Sequence, residues 1–290
     1  MEGLLHQVLS GLANGAVYAS LALALVTVYR VTRFVNFAQG EIALCSTYAA
    51  WAMIDAGASY WVAFAVTVVA SFALGIVIER VVIRPASRAP ALSVVIVFIG
   101  LMVALNSVTG WIFGYETRSF PSPFPAEPPF GNRYIGSHEL GVVGVTLAML
   151  GLLYAFFRFT TLGLVLRAVA DNAESSRLVG IRVERMLALG WGLAAAIGAV
   201  AGVMIAPVVF LDPSMMSGVM LYAFAAALLG GIDSPGGAVV GGFVVGVLEN
   251  VMGAYVIGTE LKLTVALAVI VGVLAIRPTG LFGHPSAARV

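Results

Sequence analysis

The residues from which a catalytic or metal site would be built are few and scattered. The three histidines, His6, His138 and His284, stand far apart, and His138-Glu139 does not continue into the H-E-x-x-H spacing that sets two imidazoles on one helix face for zinc. The single lysine, Lys262, is followed by Leu263, so the chain has no G-x-x-x-x-G-K-[ST] loop to cradle the phosphates of a nucleotide. No G-x-S-x-G elbow presents a nucleophilic serine. Cys45 is the only cysteine, next to an apolar stretch, and reads as a small buried residue without redox or metal chemistry. Neither an enzymatic activity nor a resident cofactor or metal is expected of this chain.

The chemistry that remains is polar recognition, and it is concentrated in one place. Residues 158–185 carry eight of the 29 charged residues (15 basic and 14 acidic), five of them arginines. Its composition predicts short amphipathic helices, broken near Asp171-Asn172 and again at Gly180. Leu164, Ala168, Leu178 and Ile181 fall on one helical face, and Arg167 with Asp171, and Glu174 with Arg177, have the spacing of surface ion pairs. Such a segment is either a solvated loop with juxtamembrane arginines or a docking surface.

The elements that position this island are membrane spans. With 61% hydrophobic residues, 10% charged residues and a mean hydropathy of +1.03, the chain is all-α and polytopic; its net charge of +1 says little about partners, because the placement of Arg and Lys matters more than their sum, and no nucleic-acid surface is implied. Apolar stretches at 4–28, 42–54, 60–78, 92–113, 140–157, 186–210, 219–232, 238–257 and 263–276 predict eight or nine spans. The stretches 42–54 and 219–232 are short enough to be tilted, broken or re-entrant. The first stretch opens near Glu2 and His6 rather than after a basic region, and is expected to be a retained span.

Placing the N-terminus outside and the C-terminus in the cytoplasm puts Arg30, Arg33, Arg80, Arg84, Arg88, the arginines of the island, Arg277 and Arg289 inside. Only Arg118, Arg133 and Lys262 then face outward, which is the positive-inside pattern. The segment 114–139, with prolines at 121, 123, 125, 128 and 129, becomes an external loop without regular helix, and 158–185 a cytoplasmic loop. No linker divides the chain, so residues 1–290 form one membrane domain.

Other polar groups fall within or between spans. Asn36, Gln39 and Glu41 form either a turn shaping the cytoplasmic mouth of a pathway or a plain loop with Glu41 at a helix start. Gly230, Gly231, Gly236 and Gly237, flanking Asp233 and Pro235, demand an irregular backbone, as a tight turn or a re-entrant tip. Gly237/Gly241 and Gly242/Gly246 have the spacing of close helix packing. Glu249 and Asn250, with Asn14 and Asn106, either line a pathway or bond between helices.

Several of these motifs together resemble the permease subunits of high-affinity branched-chain amino-acid ABC importers, nearly end to end. Glu174-Ser175-Ser176 followed by Gly180 resembles the E-A-A and glycine pattern of the helix that such permeases present to their ATPase, with serines for alanines. Arg167 to Asn172, Val35 to Glu41, Ile78 to Arg80 with Arg84-Pro85, Leu229 to Ile232 and Arg277 to Leu281 match further family marks. Gln39 stands where relatives usually carry histidine, which removes a titratable group.

The resemblance implies coupling to separate cytoplasmic ATPase subunits through Arg167, Asp171, Asn172, Glu174, Ser175, Ser176 and Gly180. ATP and Mg would then reside on the ATPase. It further implies a second permease subunit in a heterodimer, an extracytoplasmic substrate-binding protein, a bacterial inner-membrane location and lipid contact. Asn36, Gln39, Glu41, Gly230, Gly231, Gly236, Gly237, Glu249 and Asn250 are the candidates for pathway or gate. An ion-coupled carrier of small solutes, or an ABC permease for urea or short amides, stand as alternatives.

Overall fold

The computed structural model describes residues 2–87, 89–125, 127 and 136–283. Arg88, Pro128, Pro129, Arg133, His284 and Arg289, named above, lie outside the described residues.

The described residues form an all-helical membrane protein. The helices are α1 (Glu2–Thr32), α2 (Gln39–Asp55), α3 (Tyr60–Ile78), α4 (Ala91–Phe113), α5 (Ser137–Phe159), α6 (Thr161–Asp171), α7 (Ala173–Leu178), α8 (Val183–Val209), α9 (Met215–Gly230), α10 (Pro235–Tyr255) and α11 (Lys262–Ile276). A π-helical turn at Glu79–Ile83 and a last turn at Arg84–Ala86 extend α3. Among the described residues, seven helices are long and apolar enough to cross a membrane. With α2 and α9, of 17 and 16 residues, they account for the nine apolar stretches.

Position in the bundle follows from what surrounds each helix. In α1, 83% of the most apolar window is buried inside the chain, against 11% in α4, α5 and α11. The interior is therefore α1 and α8 with α2, α9 and α10, while α3, α4, α5 and α11 turn apolar side chains such as Trp111, Leu152 and Val271 outward.

The two short helices are interior elements. Each is about 25 Å long, less than a bilayer core of about 30 Å. α2 begins where the Gln39 side chain donates to the carbonyl of Ala194, about 16 Å along α8 from its start at about 1.5 Å per residue. Backbone interrupted at that depth is tolerated because protein covers it: Asn36 and Gln39 are fully buried, and the Asn36 side chain accepts from the Ala38 N–H at 3.1 Å.

Small residues set the central crossing. Gly11 and Gly15 of α1 face Gly242 and Gly246 of α10, and a Cβ added at Gly11 or Gly15 would come within 2.8 Å of Val247 Cα or 2.9 Å of Phe243 Cα. The four-residue glycine spacing thus brings two backbones together.

The π turn places an ion pair between a buried carboxylate and a part-exposed guanidinium. Glu79 is 2% exposed at its side chain, and Arg84 forks onto it, Nε to Oε1 at 3.1 Å and Nη2 to Oε2 at 2.8 Å. The same Nη2 donates to the carbonyl of Glu184 at 2.9 Å, tying the end of α3 to the first turn of α8.

At the opposite end, residues 114–125 run without helix, but the helix-free stretch expected to reach 139 is cut short because α5 already begins at Ser137. Arg118 pairs backbone with Leu211 at 2.9 Å in both directions and lays its guanidinium 4.3 Å from the Trp51 ring centre. The segment is therefore fastened across the bundle mouth.

Candidate functional site

The polar island folds into α6 and α7, separated at Asn172 and ended at Gly180 as the sequence predicts. Thr160 caps α6 by accepting from the Gly163 N–H at 3.0 Å. Asn172, in extended conformation at φ −151, ends α6 and caps α7 by accepting from the Ser175 N–H at 2.9 Å. Gly180 has φ +85, a left-handed conformation that lets the Ile181 N–H return to the Ser176 carbonyl at 3.0 Å.

The apolar face differs from the expected one. Gly163, Leu166 and Val169 are buried, while Leu164 and Leu178 are 59% and 86% exposed and Ala168 is exposed. Gly163 decides the register, because it lies directly on the backbone of Phe156 and Phe157 at the end of α5. Neither expected local ion pair forms. Asp171 lies 3.6 Å from Arg30 of α1, which ties the island to the bundle, and Arg177 meets Glu184 at 2.6 Å, which ties α7 to the first turn of α8 within the same segment. Ser176 is buried, whereas Glu174, Ser175, Arg177, Leu178, Val179 and Gly180 form an exposed tip with two bare apolar side chains.

A second assembly opens at the surface of the bundle, where α2, α4 and the start of α9 meet. A cavity of about 450 Å³ is lined by Glu41, Asn106, Tyr115, Asp212, Ser214 and Ser217 among others. Glu41 is in the first turn of α2, and Asn106 of α4 donates to its Oε2 at 3.0 Å and to the Pro213 carbonyl at 2.7 Å. Asp212 accepts from the Ser214 N–H at 2.7 Å and from its hydroxyl at 2.6 Å, opening the first turn of α9. Cys45, one turn beyond Glu41, hydrogen-bonds Thr109 of α4 at 3.0 Å.

Asn36 and Gln39 do not line this cavity. The Asn36 amide donates to Gln39 Oε1 at 3.2 Å while Gln39 bonds Ala194, which locks the start of α2 against α8. Sequence alone did not single out Tyr115, Asp212, Ser214 or Ser217. The Asp-Pro-Ser signature of a turn at the start of an apolar run was the available signal.

The remaining candidates lie elsewhere. Gly230 and Gly237 are in backbone contact across the turn between α9 and α10, and Gly231 has φ +108. The turn receives the C-terminal segment, with Leu281 N–H donating to Leu229 at 2.8 Å and Phe282 N–H to Gly230 at 3.0 Å. Gly236 borders a different cavity, beside Arg30 and Arg158. Glu249 accepts from the Tyr18 hydroxyl at 2.7 Å, and Asn250 from Lys262 at 2.8 Å, joining α1, α10 and α11 inside the bundle.

A family model of the branched-chain amino acid transport system permease component matches residues 7–274. The LivH high-affinity branched-chain amino acid transport system permease proteins of Salmonella typhimurium LT2 and Escherichia coli K12 are each 32% identical to the chain, covering 99% of it and 97% of their own lengths. The BraD high-affinity branched-chain amino acid transport system permease protein of Pseudomonas aeruginosa is 31% identical, covering 99% of the chain and 98% of its own length. With the motifs on α2, α3, α6, α7 and the C-terminal segment accounted for by the same fold, the chain belongs to the branched-chain amino acid transport system permease family.

Proposed function

We propose that this chain is the membrane-spanning permease of an ATP-driven importer for branched-chain or related amino acids, seated in a bacterial inner membrane. The observation that carries the proposal is α7, a short capped helix held at the arginine-bearing end of the bundle with Leu178 and Val179 bare beside Glu174. That surface suits a groove on a separate ATPase subunit, which supplies ATP and Mg, while Arg167, Asp171, Asn172, Ser175, Ser176 and Gly180 shape and anchor it. A second, related permease completes the pathway, and an external binding protein delivers substrate to the opposite end. The clustering of Arg30, Arg84, Arg158 and Arg177 at one end favours that end as cytoplasmic, with the N-terminus outside.

Leu178→Asp is expected to abolish ATP-dependent uptake and co-purification of the ATPase while leaving the permease in the membrane. Undiminished ATPase recovery on affinity purification would refute the docking assignment.

The cavity at Glu41 is the proposed passage. It sets two carboxylates, Glu41 and Asp212, beside amide and hydroxyl donors and the first turns of α2 and α9, whose N-terminal ends favour negative charge. This combination complements the ammonium and carboxylate of a free amino acid better than a neutral urea or amide. Glu41→Gln is expected to lower maximal uptake on the order of tenfold, the loss of one charge-assisted contact, without changing substrate affinity of the binding protein. Uptake at the parental rate would remove Glu41 from the passage.

A further inference from the structure

A second cavity, of about 430 Å³, is built differently from the passage and lies where α1, α5, α6, α8 and the start of α10 meet. Its deep walls are apolar, formed by Leu23, Leu150, Leu153 and Leu193. Its mouth carries three guanidinium-bearing side chains, Arg30 near the end of α1, Arg158 near the end of α5, and Arg167 on α6. Polarity is therefore graded with depth: Leu23 lies about 10 Å below Arg30 along α1, and Leu150 about 12 Å below Arg158 along α5, at about 1.5 Å per residue. Tyr154 lines the cavity and is 67% exposed, so the cavity communicates with the outside of the bundle.

The charges at the mouth are unbalanced. Asp171, itself largely exposed, lies 3.6 Å from Arg30, and among the described residues no ion pair engages Arg158 or Arg167. The Nε of Arg167 is buried without a hydrogen-bond partner among the described residues. A buried guanidinium N–H calls for an acceptor, and an anionic one satisfies the remaining positive charge as well.

We propose that this cavity binds one anionic phospholipid of the cytoplasmic leaflet, its phosphate on Arg158 and Arg167 and one acyl chain along the α1–α5 wall. Basic pockets between spans at the cytoplasmic surface have the chemistry for such head groups, and the apolar depth suits a lipid tail rather than a soluble anion. Because Leu166, Arg167 and Ala170 of α6 line the same cavity, the lipid would fasten the coupling segment to α1, α5 and α8. Occupancy would then stiffen the link between α7 and the bundle, making coupled uptake depend on anionic lipid. The leaflet assignment and this consequence rest on the orientation and coupling proposed above; the cavity itself does not.

The test is native mass spectrometry of the full chain, released from detergent supplemented with phosphatidylglycerol or phosphatidylcholine. The parent is expected to retain one phosphatidylglycerol in preference to phosphatidylcholine, and Arg158→Gln with Arg167→Gln to weaken that retention on the order of tenfold or more. Arg182→Gln, at an exposed arginine outside the cavity, is expected to leave it unchanged. Equal retention of the two lipids by the parent, which needs no variant to fold, would overturn the proposal. So would unchanged retention in the double variant, or displacement of the lipid by excess inorganic phosphate. Labelling of Ser175→Cys, in a Cys45→Ser background, by an impermeant thiol reagent from outside whole cells would overturn the leaflet assignment and the orientation together, even with phosphatidylglycerol retained. Failure of the site and failure of the orientation are thereby read separately.

Discussion

Gly246→Leu is expected to prevent accumulation of the folded permease. Gly246 meets Gly11 and Gly15 of α1 backbone to backbone, and an added Cβ already overlaps both. A flexible neighbour could turn aside, but carbonyl and Cα atoms move only with their helices. Overpacking a well-filled interior costs about 1–3 kcal/mol where side chains can adjust, and more where a crossing of two long helices must open. α1 is the most thoroughly buried of the seven full-length spans, so displacing α10 from it disturbs the whole interior. Gly272→Leu provides the comparison, because nothing lies within 4 Å of the Cβ added there. Membrane abundance and the thermal unfolding midpoint in detergent should collapse for Gly246→Leu and hold for Gly272→Leu. A midpoint for Gly246→Leu within about 2 °C of the parent, equivalent to less than about 1 kcal/mol, would contradict the crossing.

Arg84→Met is expected to destabilise by about 1–3 kcal/mol, the cost of leaving a buried acceptor unsatisfied when its partner is part-exposed. The cost arises from Glu79, whose carboxylate would remain almost wholly buried with its two guanidinium hydrogen bonds removed. Arg84 also holds the Glu184 carbonyl, so the end of α3 would loosen from α8. Glu79→Gln combined with Arg84→Met removes the stranded charge. It should recover more than about 1 kcal/mol of the loss, a coupling measurable by a double-mutant cycle on the unfolding midpoints. Strict additivity of the two substitutions would mean that the pair contributes nothing as a pair.

The outcome at the polar island separates what a sequence carries from what it does not. The breaks at Asn172 and Gly180 were legible because capping and left-handed backbone are local requirements that residue type reveals. The buried face was not, because contact of Gly163 with the end of α5, not the hydrophobic pattern within the segment, set the register. Asp171 and Arg177 had acceptable partners nearby, yet Asp171 found Arg30 through a tertiary contact and Arg177 found Glu184 across the turn into α8.

The spans show the same division. Full-length helices followed from composition, since a bilayer demands length and apolarity in one run. α2 and α9 stayed ambiguous because protein, not lipid, surrounds them and relaxes both demands. The cavity was hardest to foresee: Glu41 and Asn106 are 65 residues apart, and Asp212 reaches the same space from a turn after another helix.

The hydrogen bond between Cys45 and Thr109 gives the protein an unusual experimental convenience. Cys45 is its only thiol, set one helical turn from Glu41 and held to the opposite wall of α4. The wild-type chain is thus already a single-cysteine protein, with its reporter atom beside the proposed passage and no engineered background to correct for. Any rearrangement that parts α2 from α4 must break that bond along with the one from Asn106 to Glu41, so the native sulfur offers a clock for how often the two walls separate.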